Sequence, residues 1–522
     1  MSVKYTVNYD PATGRDTGKT ILNSSSDVGA AYSAAFNAQK IWGSFPFSER
    51  EKALVRMRDY IVENTDQIST VISCSTGKTR IDALAAEVLP AALAADYYAK
   101  NGRRILKEKR IRGGSILLAN KISYIKRVPI GVAGIISPWN YPFSIPVHEI
   151  FMAVTAGNGV ILKVASQCLE TGKEIEKMIA LAGLPSGLVS LINLPGEEAG
   201  KAFISSGIDK LFFTGSVAAG KKLLQMASQR ADRFLPVSLE LGGNDAMIVC
   251  SDANIKRAVN TALWAGFSNA GQSCGGVERI FVEDEVYDKF TEILKAEADK
   301  LRIGKDKDFS VDIGSITTAK QLKKIKAVVE DAVSKGASAS VLGKLMPGTE
   351  DGLFHRLVII ENSPDNASGL REEIFGPVIF ISRVKSADEA VEKANDSQLG
   401  LTASVWTGSS RKAETIAGKL QAGAVTINDH LTSHGMAETP WGGFKNSGIG
   451  RTHGEPGLLE MTQPQVVVYD LLSFMRKNIW HYPYDRRVFE SLKGALYALY
   501  SKKILRKLNG AWKVIKIFLS SF

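Results

Sequence analysis

Cysteine is scarce in this chain, and the few cysteines lie far apart. Four occur among 522 residues, and no two of them form a CxxC pair; they are Cys74, Cys168, Cys250 and Cys274. This spacing argues against a disulfide framework and indicates reduced thiols in a cytoplasmic compartment. Metal-ligand spacing is missing as well, because the neighbouring His430 and His434 have no third ligand at a useful distance along the chain. We therefore expect no metal site.

Two kinds of hydrophobic segment are also missing. The first residues, MSVKYTVNYDPATGRDTG, contain no apolar core behind a basic segment, which a secretory signal would need. No apolar run near the C-terminus approaches the roughly 18 residues that a bilayer-spanning helix requires. Both observations favour a cytoplasmic location.

Positive charge is unevenly distributed along the chain. Residues 471–522 contain eleven Lys and Arg against Asp485 and Glu490, a local charge of +9, so only +2 of the overall +11 belongs to the first 470 residues. A nucleic-acid-binding surface would place its basic residues within the folded body. We therefore expect no nucleic-acid partner and treat the basic segment as a separate tail.

The pattern of hydrophobic residues predicts an α/β protein with more than one domain. The chain is 45% hydrophobic and 23% charged, and it is too long for one core. Strand-like runs at 128–139, 159–163, 188–192, 210–214 and 236–241 alternate with helical runs at 170–182, 197–205 and 218–228. This alternation predicts a parallel, doubly wound sheet with ligands beyond the carboxyl ends of its strands. A second alternating region follows at about 244–440.

A cysteine among small residues is the most distinctive feature of the sequence. Residues 267–280 read FSNAGQSCGGVERI, so that Ser273, Gly275 and Gly276 flank Cys274. Because almost no side-chain bulk surrounds the sulfur, a small molecule can approach it closely, as a nucleophile requires. The alternative is a small buried hydrophobic residue, the commonest role of a free cysteine.

An upstream glutamate strengthens the catalytic interpretation. Residues 236–246 read PVSLELGGNDA, which places Glu240 in an apolar strand that ends at two glycines. Burial there would raise the pKa of its carboxyl group toward the range that suits a general base.

Six motifs in this chain resemble those of the aldehyde dehydrogenase superfamily. PWN, FTGS, LELGGN, GQSC, EEIFGP and GGFKNSG occur in the family's order, and the resemblance covers roughly residues 5–470. It implies a Rossmann-like cofactor domain (1–110 and 128–241), an α/β catalytic domain (242–441) and a small β oligomerisation arm (111–127 and 442–470). It also implies a homodimer or a homotetramer.

The resemblance implies a covalent mechanism. Cys274 would attack an aldehyde, Asn140 and a backbone N–H would hold the oxyanion, and Glu240 would activate water to hydrolyse the resulting thioester. His430 and His434 would be loop histidines near the substrate mouth. Two alternatives stay open: a relative that transfers the acyl group to coenzyme A, and a catalytically silent, membrane-binding homologue.

The resemblance also implies NAD or NADP as the cofactor. In the family, a glutamate that grips the adenosine ribose commonly follows the Lys163 position by three residues, but here that residue is Ser166. A serine would not repel the 2′-phosphate of NADP, so this departure admits NADP without excluding NAD. The implied cofactor-binding residues are Trp139, Lys163, Ser166, Gly215, Ser216, Gly220, Glu373 and Phe375.

The basic tail, residues 471–522, predicts an amphipathic helix with a break at Asn509–Gly510. Its apolar residues recur every three to five positions between basic ones; they are Phe489, Leu492, Leu496, Leu499, Ile504, Leu508, Trp512, Ile515 and Phe518. Such a helix lies on an anionic lipid surface or packs on another subunit. The segment WHYPYD before it resembles the C-terminal region of fatty aldehyde dehydrogenases. That likeness implies a medium- to long-chain apolar aldehyde and peripheral binding to the cytoplasmic face of a membrane.

Overall fold

A computed structural model describes residues 4–478 and 480–519. The chain forms two compact units, and the first comprises the residues up to Ile105 together with Pro129–Gln463. Ile479, residues 520–522 of the tail and residues 1–3 lie outside the described residues, as does the side chain of Phe518.

The first unit contains a six-stranded sheet, parallel except for its short first strand. In spatial order its strands are Gly448–Ile449, Val237–Glu240, Lys210–Thr214, Val132–Ile136, Gly159–Lys163 and Val189–Leu191. Nearly every residue of the three central strands is buried, as in parallel sheets covered on both faces. The predictions for 159–163 and 210–214 match the observed strands. The prediction for 128–139 was too long, because Lys121–Pro129 forms a separate strand.

A seven-stranded sheet forms the rest of this unit's core. Its strands, in spatial order, are Ser338–Leu342, Leu357–Glu361, Val378–Val384, Val277–Glu283, Asp245–Val249, Thr402–Trp406 and Ala424–Ile427. Only the first strand pairs antiparallel to its neighbour. Three strand pairs are isolated from both sheets: Tyr5–Tyr9 with Asp16–Ile21, Arg302–Ile303 with Lys344–Leu345, and Leu399–Gly400 with Phe444–Lys445.

Helices connect and cover the strands. The α-helices before the tail are Ser25–Ser44, Phe47–Glu63, Thr65–Thr76, Arg80–Ala83, Leu89–Leu106, Ser144–Ala156, Leu169–Leu181, Gly196–Ser206, Val217–Ser228, Ile255–Phe267, Asp284–Ala298, Ala319–Ser334, Ala387–Asn395, Ser410–Ala417, Thr432–Gly435 and Gly454–Glu460. A π-helical turn, Leu84–Val88, joins two of them. Short 3₁₀ turns occur at Ile116–Leu118, Ser166–Cys168, Ser268–Gly271 and Ser368–Leu370. The alternation of strands and helices confirms the predicted α/β class.

The second unit comprises Leu106–Val128 and the chain from Pro464 onward. Its three-stranded sheet contains Thr462–Asp470, Lys121–Pro129 and Lys109–Ile111. The last two pair antiparallel. Asp470 accepts a hydrogen bond from Asn120 Nδ2 at 2.7 Å and forms an ion pair with Lys121, which fixes the end of the sheet.

Two helices, Arg486–Tyr500 and Ile504–Leu519, form a tail hairpin in the second unit. The predicted break at Asn509–Gly510 was wrong, because the chain turns at residues 501–503 and Gly510 lies inside the second helix. A Cβ atom on Gly494 would come within 2.8 Å of the Gly510 carbonyl oxygen, so these glycines let the two helices cross closely. Ser491 Oγ donates to the Lys513 carbonyl at 3.2 Å, and Lys513 forms an ion pair with Glu490 at 2.7 Å.

Large apolar side chains remain exposed on the tail hairpin. They include Phe489, Leu496, Tyr500, Ile504, Leu505, Leu508, Trp512 and Leu519, each at least 61% exposed. Among the described residues, no helix is both long enough and apolar enough to cross a membrane.

Candidate active site

Cys274 and Glu240 line the same cavity in the first unit. The remaining lining residues are Ile145, Glu149, Thr214, Leu241, His434, Trp441, Thr452 and His453. The cavity offers about 20 Å³ to the centres of water molecules, which is room for one ordered water. A thiol and a carboxyl group that are 34 positions apart in sequence are therefore brought to one small enclosed space.

Glu240 is the last residue of the strand Val237–Glu240, and its side chain is 6% exposed. Neither carboxylate oxygen has a hydrogen-bond partner among the described residues. Burial raises the pKa of Glu240 well above its ordinary value, and the carboxyl groups of Glu149 and Glu460 raise it further, against the opposing charge of Arg451. This direction agrees with the shift expected from the sequence, and the ionised form of such a carboxyl group is a stronger base than an ordinary glutamate.

Cys274 follows a strained turn. Asn269 and Ala270 adopt left-handed backbone conformations, with φ angles of 51° and 53°. Behind the thiol, His430 bridges Ser404 Oγ at 2.8 Å and the Gly275 carbonyl at 3.0 Å. Because His430 is fully buried, its interpretation as a residue at the substrate mouth was wrong. Burial raises the pKa of the half-buried Cys274 thiol, and Glu373, Asp245 and Glu240 raise it further, so the thiol needs a base.

Asn140 lies directly beside the segment that leads to Cys274. Its side chain is buried, and its Nδ2 donates to the Gln272 carbonyl at 3.1 Å. An amide NH₂ carries two donors, so this bond leaves a second donor for another acceptor.

The predicted cofactor residues lie at the carboxyl edge of the six-stranded sheet. Ile136 ends the strand that leads to Trp139, and it pairs with Lys163 in one neighbouring strand and with Phe213 in the other. The segments that contain Trp139, Lys163 and Gly215 therefore leave the sheet at the same edge. Lys163 is 6% exposed, and burial lowers the pKa of its ammonium group to about 8. A buried amino group at this edge suits a ribose hydroxyl acceptor.

The turn after the neighbouring strand has the features of a phosphate-binding turn. Ser216 begins the helix Val217–Ser228, where its Oγ accepts from Ala219 N–H at 3.3 Å, and Gly220 lies in the first turn. Gly215 N–H donates to the Glu240 carbonyl at 3.0 Å, which joins this turn to the catalytic strand. Ser166 is half-buried at the start of a 3₁₀ turn, and its carbonyl accepts from Asn8 Nδ2 at 2.6 Å. These groups fit a dinucleotide whose phosphates meet a helix N-terminus.

The EEIFGP segment lies next to the two glycines, Gly242 and Gly243, that follow Glu240. Glu373 accepts from Gly243 N–H at 3.1 Å, and a Cβ atom on Gly242 would come within 2.5 Å of its carboxylate oxygens. Loss of hydration raises the pKa of Glu373 to about 8. The ring of Phe375 meets that of Trp139 edge-on, with ring centroids 5.3 Å apart. Two predicted cofactor residues from distant motifs are thus in contact.

Sequence reasoning missed the residue that holds this segment. Glu278 lies in the strand Val277–Glu283 and accepts from the backbone N–H groups of Ile374 and Phe375, both at 2.8 Å. Phe375 has a φ angle of 59°, so this buried carboxylate stabilises a strained backbone. The available signal was the pair of charged residues, Glu278 and Arg279, near the start of the strand VERIFVE.

A second group of buried polar residues lies in or beside the cavity, and only His434 among them was singled out from the sequence. Glu149 lies in the apolar helix Ser144–Ala156, and burial raises its pKa to about 8. The imidazole rings of His148 and His453 are 4.3 Å apart, and His434 lies 5.5 Å from His453 and 4.7 Å from Trp441. Burial lowers the pKa of all three histidines, to about 3 for His148 and about 4 for His434. The three imidazole groups are therefore neutral near pH 7.

Comparison with known proteins agrees with this geometry. The family model described as "Aldehyde dehydrogenase family" matches residues 2–467. The chain is 35% identical to the 4,4'-diapolycopene aldehyde oxidase of Methylomonas sp, over 94% of this chain and 91% of that protein. It is 37% identical to a Mycolicibacterium smegmatis protein provisionally named succinate-semialdehyde dehydrogenase [NADP(+)], over 87% of each.

A solved structure shares the fold. The NAD⁺ complex of an aldehyde dehydrogenase from Bacillus cereus superposes with a TM-score of 0.84 at 29% identity, over 90% of this chain and 94% of that one. The predicted fold is confirmed. This chain belongs to the aldehyde dehydrogenase family and is an NAD(P)-dependent oxidoreductase of aldehydes.

Proposed function

We propose that this protein oxidises an uncharged, apolar aldehyde of medium to long chain length to the carboxylic acid, with Cys274 as nucleophile, Glu240 as general base and Asn140 as oxyanion donor. The observation that carries the chemistry is the shared cavity of Cys274 and Glu240, which has room for one water molecule. A nucleophile, a base and a water in one enclosed space are what thioester formation and hydrolysis require.

The first proposed step forms a bond between the Cys274 sulfur and the aldehyde carbon. Glu240 accepts the thiol proton, because burial raises the pKa of the carboxyl group well above its usual value. The aldehyde oxygen takes up the electron pair, and the free donor of Asn140 together with the Cys274 backbone N–H stabilises the resulting oxyanion.

NAD(P)⁺, when bound, supplies the acceptor for the hydride that leaves the same carbon. The product on Cys274 is then a thioester. After releasing the first proton, Glu240 removes a proton from the cavity water as that water attacks the thioester carbon. The carbon–sulfur bond breaks, the Cys274 sulfur takes the proton that Glu240 removed from the water, and the carboxylic acid is released.

The proposed cofactor site uses the carboxyl edge of the six-stranded sheet. Lys163 and Ser166 face the adenosine ribose, and the turn that contains Gly215, Ser216 and Gly220 faces the phosphates. Glu373 holds the nicotinamide ribose, and Trp139 and Phe375 pack beside the ring. We propose the corresponding division into a cofactor domain (1–110 and 128–241) and a catalytic domain (242–441).

The proposed arm, residues 111–127 and 442–470, joins subunits in a homodimer or a homotetramer. Its three-stranded sheet has free edges and exposes Val466, Val468 and Tyr469, each at least 54%. Unpaired strand edges with exposed apolar side chains favour pairing with another copy of the chain.

The cavity lining supports an uncharged substrate. It contains Glu149 and Glu240 and, among the described residues, no lysine or arginine. A carboxylate on the aldehyde would lose its hydration beside these carboxyl groups, and the described lining residues include no cation to pair with it; Arg451, whose charge acts on Glu240, is not a lining residue. One relative is named for 4,4'-diapolycopene aldehyde, a hydrocarbon aldehyde, and this name supports an apolar substrate. Another is named for succinate semialdehyde, an anionic aldehyde, and its name favours the opposite.

The test is a series of aldehydes assayed by NAD(P)H formation. We expect kcat/KM to rise from propanal to decanal and to be lowest with succinic semialdehyde, with NAD and with NADP as alternative cofactors. The acid must form without coenzyme A. A requirement for coenzyme A would indicate the acyl-transferring alternative, and the lack of turnover with every aldehyde would indicate a catalytically silent homologue.

Peripheral membrane binding is the second part of the proposal, and the tail hairpin supports it. Its exposed apolar side chains lie among basic residues, which is the pattern of helices in an anionic lipid interface. Vesicles of phosphatidylserine and phosphatidylcholine should co-sediment the intact chain and leave residues 1–470 in the supernatant. Equal sedimentation of both would contradict this part and leave the chemistry untouched.

A further inference from the structure

A fully buried ion pair lies outside the cavity lining. Lys78 Nζ is 2.6 Å from Glu87 Oε1, and neither side chain is exposed at all. Glu87 belongs to the π-helical turn Leu84–Val88, a rare feature that is frequent at functional sites. Because desolvation offsets the attraction between buried charges, such a pair contributes little net stability and calls for another role.

Both charges bind the segment that carries Asn140. Lys78 Nζ donates to the Asn140 carbonyl at 2.6 Å and lies 4.3 Å from the ring centroid of Tyr141. Glu87 Oε2 accepts from the Phe143 N–H at 2.8 Å and the Ser144 N–H at 3.3 Å. These N–H groups begin the helix Ser144–Ala156, which has no side-chain cap of its own. Glu87 therefore caps this helix, and Lys78 fixes the residue four positions before it.

The same Asn140 carbonyl and the Asn140 side chain are also tied to the segment that precedes Cys274. Asn269 Nδ2 donates to the Asn140 carbonyl at 3.1 Å and to the Gln272 carbonyl at 3.0 Å. Asn140 Nδ2 donates to the same Gln272 carbonyl at 3.1 Å. Asp82, which lies between Lys78 and Glu87 in sequence, accepts from Asn269 N–H at 3.1 Å. The 78–87 segment thus holds both the Asn140 segment and the turn before Cys274.

We infer that Lys78 and Glu87 are positioning residues that fix the Asn140 amide for oxyanion stabilisation. The inference rests on the proposed role of Asn140. The Gln272 carbonyl uses one of the two amide donors, so the direction of the second donor depends on where the Asn140 backbone is held. Lys78 holds that backbone through its carbonyl, and Glu87 fixes the following turn. Small displacements of a positioned donor are costly to catalysis.

The main test removes both charges together, because removing one would leave a buried unpaired charge. The double variant Lys78→Met/Glu87→Gln should fold, bind NAD(P) as before and keep the alkylation rate of Cys274 by iodoacetamide. The rate of the first NAD(P)H burst with hexanal should fall about 10- to 100-fold, with KM changed less than threefold. A merely structural role would change cofactor affinity and thiol reactivity as well.

The decisive comparison is whether the losses of burst rate in the double variant and in Asn140→Ala are additive. Because the pair acts through Asn140, adding the double variant to Asn140→Ala should slow the burst less than threefold further. Lys305→Met/Asp10→Asn is the matched control, since this ion pair, 2.7 Å apart, does not contact Asn140. The control should leave the burst rate unchanged.

A normal burst in the folded double variant, or a full additional loss on Asn140→Ala, would overturn the inference. If the double variant does not fold, the single variant Glu87→Asp takes its place as the test. It keeps the charge but withdraws the carboxylate from the Phe143 and Ser144 N–H groups. A threefold or larger slowing of its burst supports the inference, and an unchanged burst refutes it. Retained turnover in Cys274→Ala would refute the proposed function instead.

Discussion

The active-site cavity and the tail hairpin arrange polar and apolar groups in opposite ways. In the cavity, carboxyl and imidazole groups are buried, and many of their atoms have no hydrogen-bond partner among the described residues. On the tail hairpin, apolar side chains are exposed and stand among basic ones. Each arrangement costs free energy in the isolated chain, by desolvation in the first case and by apolar hydration in the second. Both costs are expected where a second molecule binds, so both regions are functional candidates.

Removal of the Cys274 sulfur should have the largest effect in the cavity. We expect Cys274→Ala to lower kcat/KM with hexanal by at least about 10⁴-fold, because no covalent intermediate can form. Cys74→Ala is the matched control, since Cys74 is also half-buried but lies outside the cavity. The kcat/KM values of both variants are measured from steady-state NAD(P)H formation. Comparable losses in the two variants would mean that the cavity is not the reaction site.

Glu240 should be the next most important cavity group. Glu240→Gln should lower turnover about 10²- to 10⁴-fold by removing the general base, and a thioester should accumulate on Cys274. Intact-protein mass spectrometry after mixing with hexanal and cofactor detects the added acyl mass. The control is Glu149→Gln, which removes the other carboxyl group of the same cavity. Equal losses in both variants, or normal turnover of Glu240→Gln with coenzyme A, would contradict the hydrolytic role.

The proposed catalytic groups could be named from the sequence because each lies in a short local motif. Cys274, Glu240 and Asn140 occupy fixed places in GQSC, LELGGN and PWN, and the pattern of hydrophobic residues located the strand that ends at Glu240. Glu149, His148 and His453 were not predictable in the same way, because they converge from different elements without a shared motif. Lys78 and Glu87 depend on a π-helical turn, for which the sequence carries no simple periodic signal.

Errors in the sequence predictions have a similar origin. Asn509–Gly510 was interpreted as a helix break, because glycine and asparagine disfavour helix interiors. In the structure, Gly510 lies at a helix crossing, where a small residue is needed for contact with Gly494. His430 was placed near the substrate mouth because it lies in a loop, yet it is fully buried, where it hydrogen-bonds to Ser404, Gly275 and Thr402. In both cases, contacts between segments that are distant in sequence override the local preference of the residue.

The buried histidines should make the cavity region sensitive to acid. The pKa of His434 is about 4 in the folded chain against about 6.5 in an unfolded one, so the unfolded state binds more protons between these values. Stability is therefore lost as the pH falls from 6.5 toward 4, by on the order of 3 kcal/mol for this residue.

Urea unfolding at pH 7 and pH 4.5 tests the acid effect. The difference between the two pH values should shrink in His434→Gln, because the titrating group is gone. His481→Gln is the control, since this exposed tail histidine should leave the pH difference unchanged. An unchanged pH difference in His434→Gln would contradict the assignment of a buried neutral imidazole.

Substitutions in the tail hairpin should have the smallest effect, and they should change vesicle binding without changing catalysis. Leu508→Ser/Trp512→Ser removes two exposed apolar side chains of one helix, each at least 63% exposed, and should weaken binding to phosphatidylserine vesicles about tenfold. Lys502→Gln/Lys503→Gln keeps the apolar face and removes two charges, so its binding should weaken at low salt and match that of the unmodified chain in 0.5 M salt. In both variants kcat with the water-soluble substrate propanal should stay constant, because neither touches the cavity. Equal losses at both salt concentrations for the lysine variant, or no loss for the apolar variant, would mean that the exposed apolar residues serve another partner, such as a second subunit.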